Sequence, residues 1–273
     1  MSLIEFIKII RPIDCIIAAI GVFIGYSLSI EGIILTQTLA YAMLAVFFIC
    51  AGGQTINDFF DFEIDKLTYK DKPVVRGLIS KQTALIYSIT LFVIGIIFSF
   101  FISQLALITA IFFALLLIAY SALMKKIKYF GNFVVSFSVA FTILFGAIIS
   151  MNFFLPFILF VSAFFANTAR EIIKDLEDLG SEQGIKITLP QLIPIKAIFV
   201  LVGLFYLLSI LIGFYPFFIG RFNSIAYLLL MAFAVIFFIL SLIEMQKRDY
   251  TCAQNHSKRG MFLGLIAFLF GIL

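Results

Sequence analysis

The chain has 273 residues, of which 63% are hydrophobic and only 12% charged, and its mean hydropathy is +1.19. A soluble domain carries roughly a quarter charged residues to cover its surface, so the solvent for most of this chain is lipid. The formal net charge is +4, no nucleic-acid partner is expected, and three scattered cysteines with one histidine exclude zinc, haem and disulfide frameworks.

A membrane span needs about 20 mostly apolar residues to cross ~30 Å of hydrocarbon. The first such run covers 12–30, behind charged residues and Arg11-Pro12. It has no small-residue cleavage site, so it reads as a span and not as a signal peptide. The second, 37–57, runs straight into Asn57-Asp58-Phe59-Phe60-Asp61-Phe62-Glu63-Ile64-Asp65 and a polar stretch to residue 81. Spans over 83–102 and 104–122 follow, the latter closing on Tyr120-Ser121 before Lys125, Lys126 and Lys128. The fifth and sixth cover 130–150 and 153–173, and the sixth leads into Arg170-Glu171-Ile172-Ile173-Lys174-Asp175-Leu176-Glu177-Asp178. Runs over 194–213, 222–243 and 260–273 complete the set. The last has about 14 residues, or roughly 21 Å of helix, which is short for a crossing. The expectation is an all-α, multi-span transmembrane bundle of about nine helices, with 1–273 as a single domain.

The polar connections follow the even-numbered spans. Of the 19 basic residues, 18 fall in those connections or before the first span, and only Arg221 falls on the other side. Basic loops stay in the cytoplasm. The N-terminus and the long loops are therefore expected there, in a multi-pass cell-membrane protein. Ten of the 15 acids fall in just two stretches, 58–71 and 171–182. Acids do not set topology, so their clustering has another cause.

Asp58, Asp61 and Asp65 are spaced three and four residues apart, which stacks them on one helix face. Asn57 adds an amide one turn before Asp61. Glu171, Asp175, Asp178 and Glu182 repeat the pattern. Stacked carboxylates repel, and at membrane depth each is costly unless paired. A solvated helix face accounts for one acidic pair, but not for two clusters that each continue an apolar span. Hard divalent cations with oxygen ligands fit such sets, above all Mg²⁺, which completes its shell with phosphate oxygens. Lys72, Arg76, Lys125, Lys126, Arg170 and Lys174 lie alongside to bind the remaining phosphate charge. Gly21, Gly25, Gly52 and Gly53 read as small residues that let helices approach closely.

At these motifs the sequence resembles the UbiA family of intramembrane prenyltransferases. Residues 57–65 match its NDxxDxxxD motif, and Lys72-Pro73 with Arg76-Gly77 resembles the loop that follows. Tyr120-Ser121, Lys125, Lys126 and Gly131-Asn132 resemble a further segment. Residues 170–178 resemble the second aspartate motif, Thr188-Leu189-Pro190 its sequel, and Arg11-Pro12 the start of the first helix. One departure stands out: Ser181 occupies the place of a further family aspartate, with Glu182 next to it.

The resemblance implies Mg²⁺-dependent transfer of a prenyl group from an isoprenoid diphosphate to a lipophilic acceptor. It implies one ion on Asp58, Asp61 and Asp65 and a second on Asp175 and Asp178, with Glu171 beside them and Asn57 in support. Lys72, Arg76 and Lys125 or Lys126 would bind the leaving diphosphate, with Tyr120 donating to it. The motif strings resemble most the archaeal branch, whose members add a second geranylgeranyl chain to geranylgeranylglyceryl phosphate. Arg11, Arg170 and Lys174 are spare cations for that acceptor's phosphate, and would equally serve the carboxylate of an aromatic acid in quinone synthesis. A transporter or Mg²⁺ channel also places acids in membrane helices, but predicts them near mid-membrane and on both faces.

Overall fold

The computed structural model describes residues 3–68, 71–123, 130–180 and 188–273. Among them the chain is all α, with helices α1 (Leu3–Ile9), α2 (Pro12–Ile30), α3 (Gln37–Phe60), α4 (Phe62–Thr68), α5 (Lys81–Phe100) and α6 (Gln104–Ala122), then α7 (Phe130–Ala147), α8 (Phe154–Glu177), α9 (Ile195–Phe218), α10 (Ile225–Gln246) and α11 (Tyr250–Gly271). Eight of them, α2, α3 and α5 to α10, are long and apolar enough to cross a membrane. These are the first eight expected spans. The ninth run is only the apolar end of α11, which has 22 residues and starts ten positions earlier than hydropathy suggested. Its first half contains Gln254, Lys258 and Arg259, polar residues that are good helix formers and so prolong the helix without prolonging the apolar run.

The chain divides into two compact units. The first comprises Met1–Phe23 and Leu35–Ile127, in which α3 packs against α5 and α6. Small residues make that packing possible. A Cβ on Gly52 would stand 2.8 Å from the Phe92 ring, and one on Gly53 would stand 2.9 Å from Leu117. Ser88 Oγ adds a hydrogen bond to the Gly52 carbonyl, 3.0 Å. Residues 71–80 form a tight turn in which Gly77 takes a φ of +73°. Val74 and Ile79 are buried in one apolar cluster with Ile9, Cys15, Ala51 and Leu91. That burial anchors the turn, and with it Lys72, beside the end of α3.

The second unit comprises Ile24–Ile34 and Lys128–Leu273. Here α8 packs against α7, α9 and α11, and α10 against α11. A Cβ on Gly25, in the last third of α2, would stand 1.9 Å from the carbonyl oxygen of Ile143 in α7. Backbone lies against backbone at that crossing, and only glycine fits. Hydroxyls tie the helices elsewhere: Tyr206 and Ser241 share a 3.0 Å hydrogen bond, and Ser241 Oγ donates to Ala253 O across 2.8 Å.

Candidate active site

The first acidic ladder sits where α3 ends. Asn57 and Asp58 belong to the last turn of α3, Asp61 is its C-cap residue, and Asp65 lies in α4. The expected single helix thus breaks at Asp61, and no glycine or proline marks the break. The hydrogen-bond register nonetheless continues, from Asp61 N to Asn57 O at 2.9 Å and from Asp65 N to Asp61 O at 2.8 Å. The three aspartates therefore stay on one side of the chain, and they are 3%, 6% and 2% exposed.

The charge of Asp58 and Asp65 is met by two cations from separate segments. Lys72 Nζ lies 3.0 Å from Asp58 Oδ1 and 2.6 Å from Asp65 Oδ2. Arg11 donates from Nη2 to the same Asp58 Oδ1 across 3.0 Å, and from Nη1 to Gln54 Oε1 across 2.8 Å. Burial pushes the Asp65 carboxyl above the ordinary aspartate range, and the Lys72 ammonium pulls the other way. One ammonium bridging two carboxylates shows that Asp58 and Asp65 come close enough to share a cation. All the donors in this ladder are hard oxygens, with no thiol or imidazole among them, which is the set that suits Mg²⁺.

The second ladder closes α8. Glu171 and Asp175 are buried in its last two turns, and Asp178 is the C-cap residue. Both ladders thus place one aspartate at the point where helical geometry ends. Asn132 of α7 donates from Nδ2 to Asp175 Oδ2 across 2.7 Å, with both residues buried. Ser136 Oγ donates to the Asn132 carbonyl across 2.7 Å and accepts from Asn167 Nδ2 across 3.2 Å. Arg170 donates to Asn167 Oδ1 from Nε, 3.2 Å, and to Glu171 Oε1 from Nη2.

Other expected site residues are placed differently. Arg76 and Lys174 are exposed, and Tyr120 is half-buried near the end of α6. Lys125, Lys126 and Glu182 lie outside the described residues. The sequence reading passed over Gln54 and Asn167 and gave Asn132 no role. Gln54 and Asn167 each precede the first acid of a ladder by four residues, so the same helical period that found the acids could have found them.

One group of three acid or thiol ligand atoms within 4.8 Å of one another occurs among the described residues, at Glu244, Asp249 and Cys252. Its members have local structural partners. Glu244 pairs with Lys247 at 2.8 Å, and Asp249 caps α11 through Cys252 N at 2.9 Å.

The model of the UbiA prenyltransferase family matches residues 18–266. A relative named digeranylgeranylglyceryl phosphate synthase, from Thermococcus kodakarensis, is 34% identical over 273 residues, covering 98% of each chain. A solved structure of a digeranylgeranylglyceryl phosphate synthase superposes with a TM-score of 0.81 at 32% identity, over 99% of this chain and 98% of that one. A UbiA homologue from Archaeoglobus fulgidus, solved bound to GPP and Mg²⁺, shares the fold at 16% identity and a TM-score of 0.71, over 97% and 99% of the two chains. The motif resemblance is borne out and the transporter alternative falls away: the chain belongs to the UbiA prenyltransferase family and is an intramembrane prenyltransferase.

Proposed function

We propose that this protein transfers a geranylgeranyl group from its diphosphate to geranylgeranylglyceryl phosphate, with Mg²⁺, in archaeal ether-lipid synthesis. One observation carries the chemistry: Asp58, Asp61 and Asp65 are buried together where a membrane helix ends and α4 begins, with one ammonium shared by Asp58 and Asp65 and a guanidinium on Asp58. The acceptor follows from the relative named digeranylgeranylglyceryl phosphate synthase, which the chain matches over nearly its full length.

Asp58, Asp61 and Asp65 hold one ion, with Asn57 in support, and Asp175 and Asp178 hold a second beside Glu171. Bound Mg²⁺ supplies Lewis-acid neutralisation of the diphosphate. Lys72, Arg76, Lys125 and Lys126 take the remaining phosphate charge, and Tyr120 donates to the leaving group. The bond between the allylic carbon and the diphosphate oxygen breaks, diphosphate departs, and the acceptor hydroxyl bonds to that carbon and releases its proton. Arg11, Arg170 and Lys174 are the cations available to the acceptor's phosphate, and the exposure of Lys174 leaves it open to a headgroup from water. The whole chain acts as one catalytic domain; the family match, which runs through both compact units, supports this. The distribution of 18 of 19 basic residues supports a cytoplasmic active face.

The test is product identity. Purified protein with Mg²⁺ and geranylgeranyl diphosphate is offered geranylgeranylglyceryl phosphate or an aromatic acid, and the lipid product is weighed by mass spectrometry. Product with the glyceryl phosphate supports the proposal. Product with the aromatic acid alone overturns the acceptor.

A further inference from the structure

The first acid of each ladder is met by an arginine whose other arm is held by an amide one turn upstream. Gln54 precedes Asp58 by four residues on α3, so their side chains share a face. Arg11 reaches both from the α1–α2 junction, at 2.8 Å and 3.0 Å. On α8, Asn167 precedes Glu171 by four residues, and Arg170 binds both, with its Nε 3.2 Å from the amide oxygen. Amide, guanidinium and acid recur in the same order in the two units.

A guanidinium alone with a carboxylate favours the two-armed pair, in which both carboxylate oxygens accept from the same cation. Here the amide occupies one arm. Arg11 is confined to Asp58 Oδ1, the oxygen that Lys72 also uses. We infer that Gln54 and Asn167 are positioning residues that keep Arg11 and Arg170 single-armed, so that the arginines do not capture both oxygens of Asp58 and Glu171. An amide suits this task because it holds the arm without adding a negative charge. The inference rests on reading the ladders as Mg²⁺ sites.

The test titrates Mg²⁺ into the purified full-length protein with inorganic pyrophosphate present, reading the thermal unfolding midpoint and, in parallel, turnover. Partners that orient a metal ligand are worth about 10–100-fold in metal affinity, so Gln54→Leu is expected to raise the half-saturating Mg²⁺ about tenfold. Arg11→Lys in the Gln54→Leu background removes the fork, since an ammonium is a point charge, and is expected to return the value to within about threefold. Asn167→Leu and Arg170→Lys form the matching series on α8.

A midpoint lowered in the absence of Mg²⁺ with an unmoved titration makes Gln54 a packing residue and overturns the inference. A Gln54→Leu defect that Arg11→Lys does not relieve overturns it as well. If the wild-type protein itself shows no response to Mg²⁺, the reading of the ladders fails and the inference with it. A wild-type response that Gln54→Leu leaves unchanged sinks the inference alone.

Discussion

Lys72 donates to Asp65 across 2.6 Å and joins it, through the same ammonium, to Asp58. The lysine belongs to a turn anchored by Val74 and Ile79, and the aspartates to the end of α3 and to α4. Replacing Lys72 by Met leaves two buried carboxylates short of their shared cation. Breaking a buried pair from one side costs about 3–5 kcal/mol. Lys72 is 19% exposed, which argues for the lower end. The expected result is a clear fall in the unfolding midpoint of the Mg²⁺-free protein in detergent, partly recovered when Mg²⁺ is added.

Asp61 caps α3 between the two aspartates that Lys72 joins. Its replacement by Ala removes a carboxylate while leaving the neighbouring ion pairs in place. A metal ligand lost from a phosphoryl-binding site costs several kcal/mol of transition-state stabilisation, so turnover should fall at least about a hundredfold. The assay is product formation against Mg²⁺ concentration, and activity near wild type would remove Asp61 from the site.

Asn132 supplies a buried donor to Asp175. Replacing it by Leu, of similar volume, removes that buried donor at a cost of about 1–3 kcal/mol. Asn132→Asp should be worse, because it sets a like charge against Asp175. Thermal unfolding of the two variants side by side gives the order, and equal midpoints would contradict it.

Gly25 has little room, with a carbonyl oxygen 1.9 Å from where a Cβ would stand. A rotamer change cannot relieve contact with backbone. Overpacking typically costs about 1–3 kcal/mol, and Gly25→Ala is expected at the upper end. Gly203→Ala is the control, since nothing lies within 4 Å of its added Cβ. A midpoint unchanged at Gly25 would refute the close crossing of α2 and α7.

Eight spans were legible because each carries an unbroken apolar run of about the length a bilayer requires. The extent of α11 was not, because its first half is polar, and hydropathy is blind to a helix built from good polar formers. The acids of both ladders were legible from a three-and-four spacing. The end of α3 at Phe60 was not, since Asp61 turns the chain by taking a φ of −82° and a ψ near 0°, which any residue can adopt. Gln54 and Asn167 follow the same period as the acids but carry no charge, so a search for charge clusters steps over them. Lys72 was expected at a phosphate, and in the structure its ammonium lies on two aspartates. Long-range pairing of that kind depends on how a turn is anchored, and the anchors, Val74 and Ile79, look like any other aliphatic residues in the sequence.

Arg11 joins α1 to α2 with a φ of +49°, in the left-handed region that costs an ordinary residue about 1–2 kcal/mol. Glycine would take that turn freely but would release Asp58 and Gln54. Asp58 is 3% exposed but keeps Lys72 as a cation, so the loss is that of a charged hydrogen bond, about 1.5–3 kcal/mol, and the backbone gain offsets most of it. A screen for thermostability would therefore score Arg11→Gly as a mild loss. The same substitution should register as severe in any screen that reads turnover, and the gap between the two scores measures how far this junction is shaped by the reaction and not by the fold.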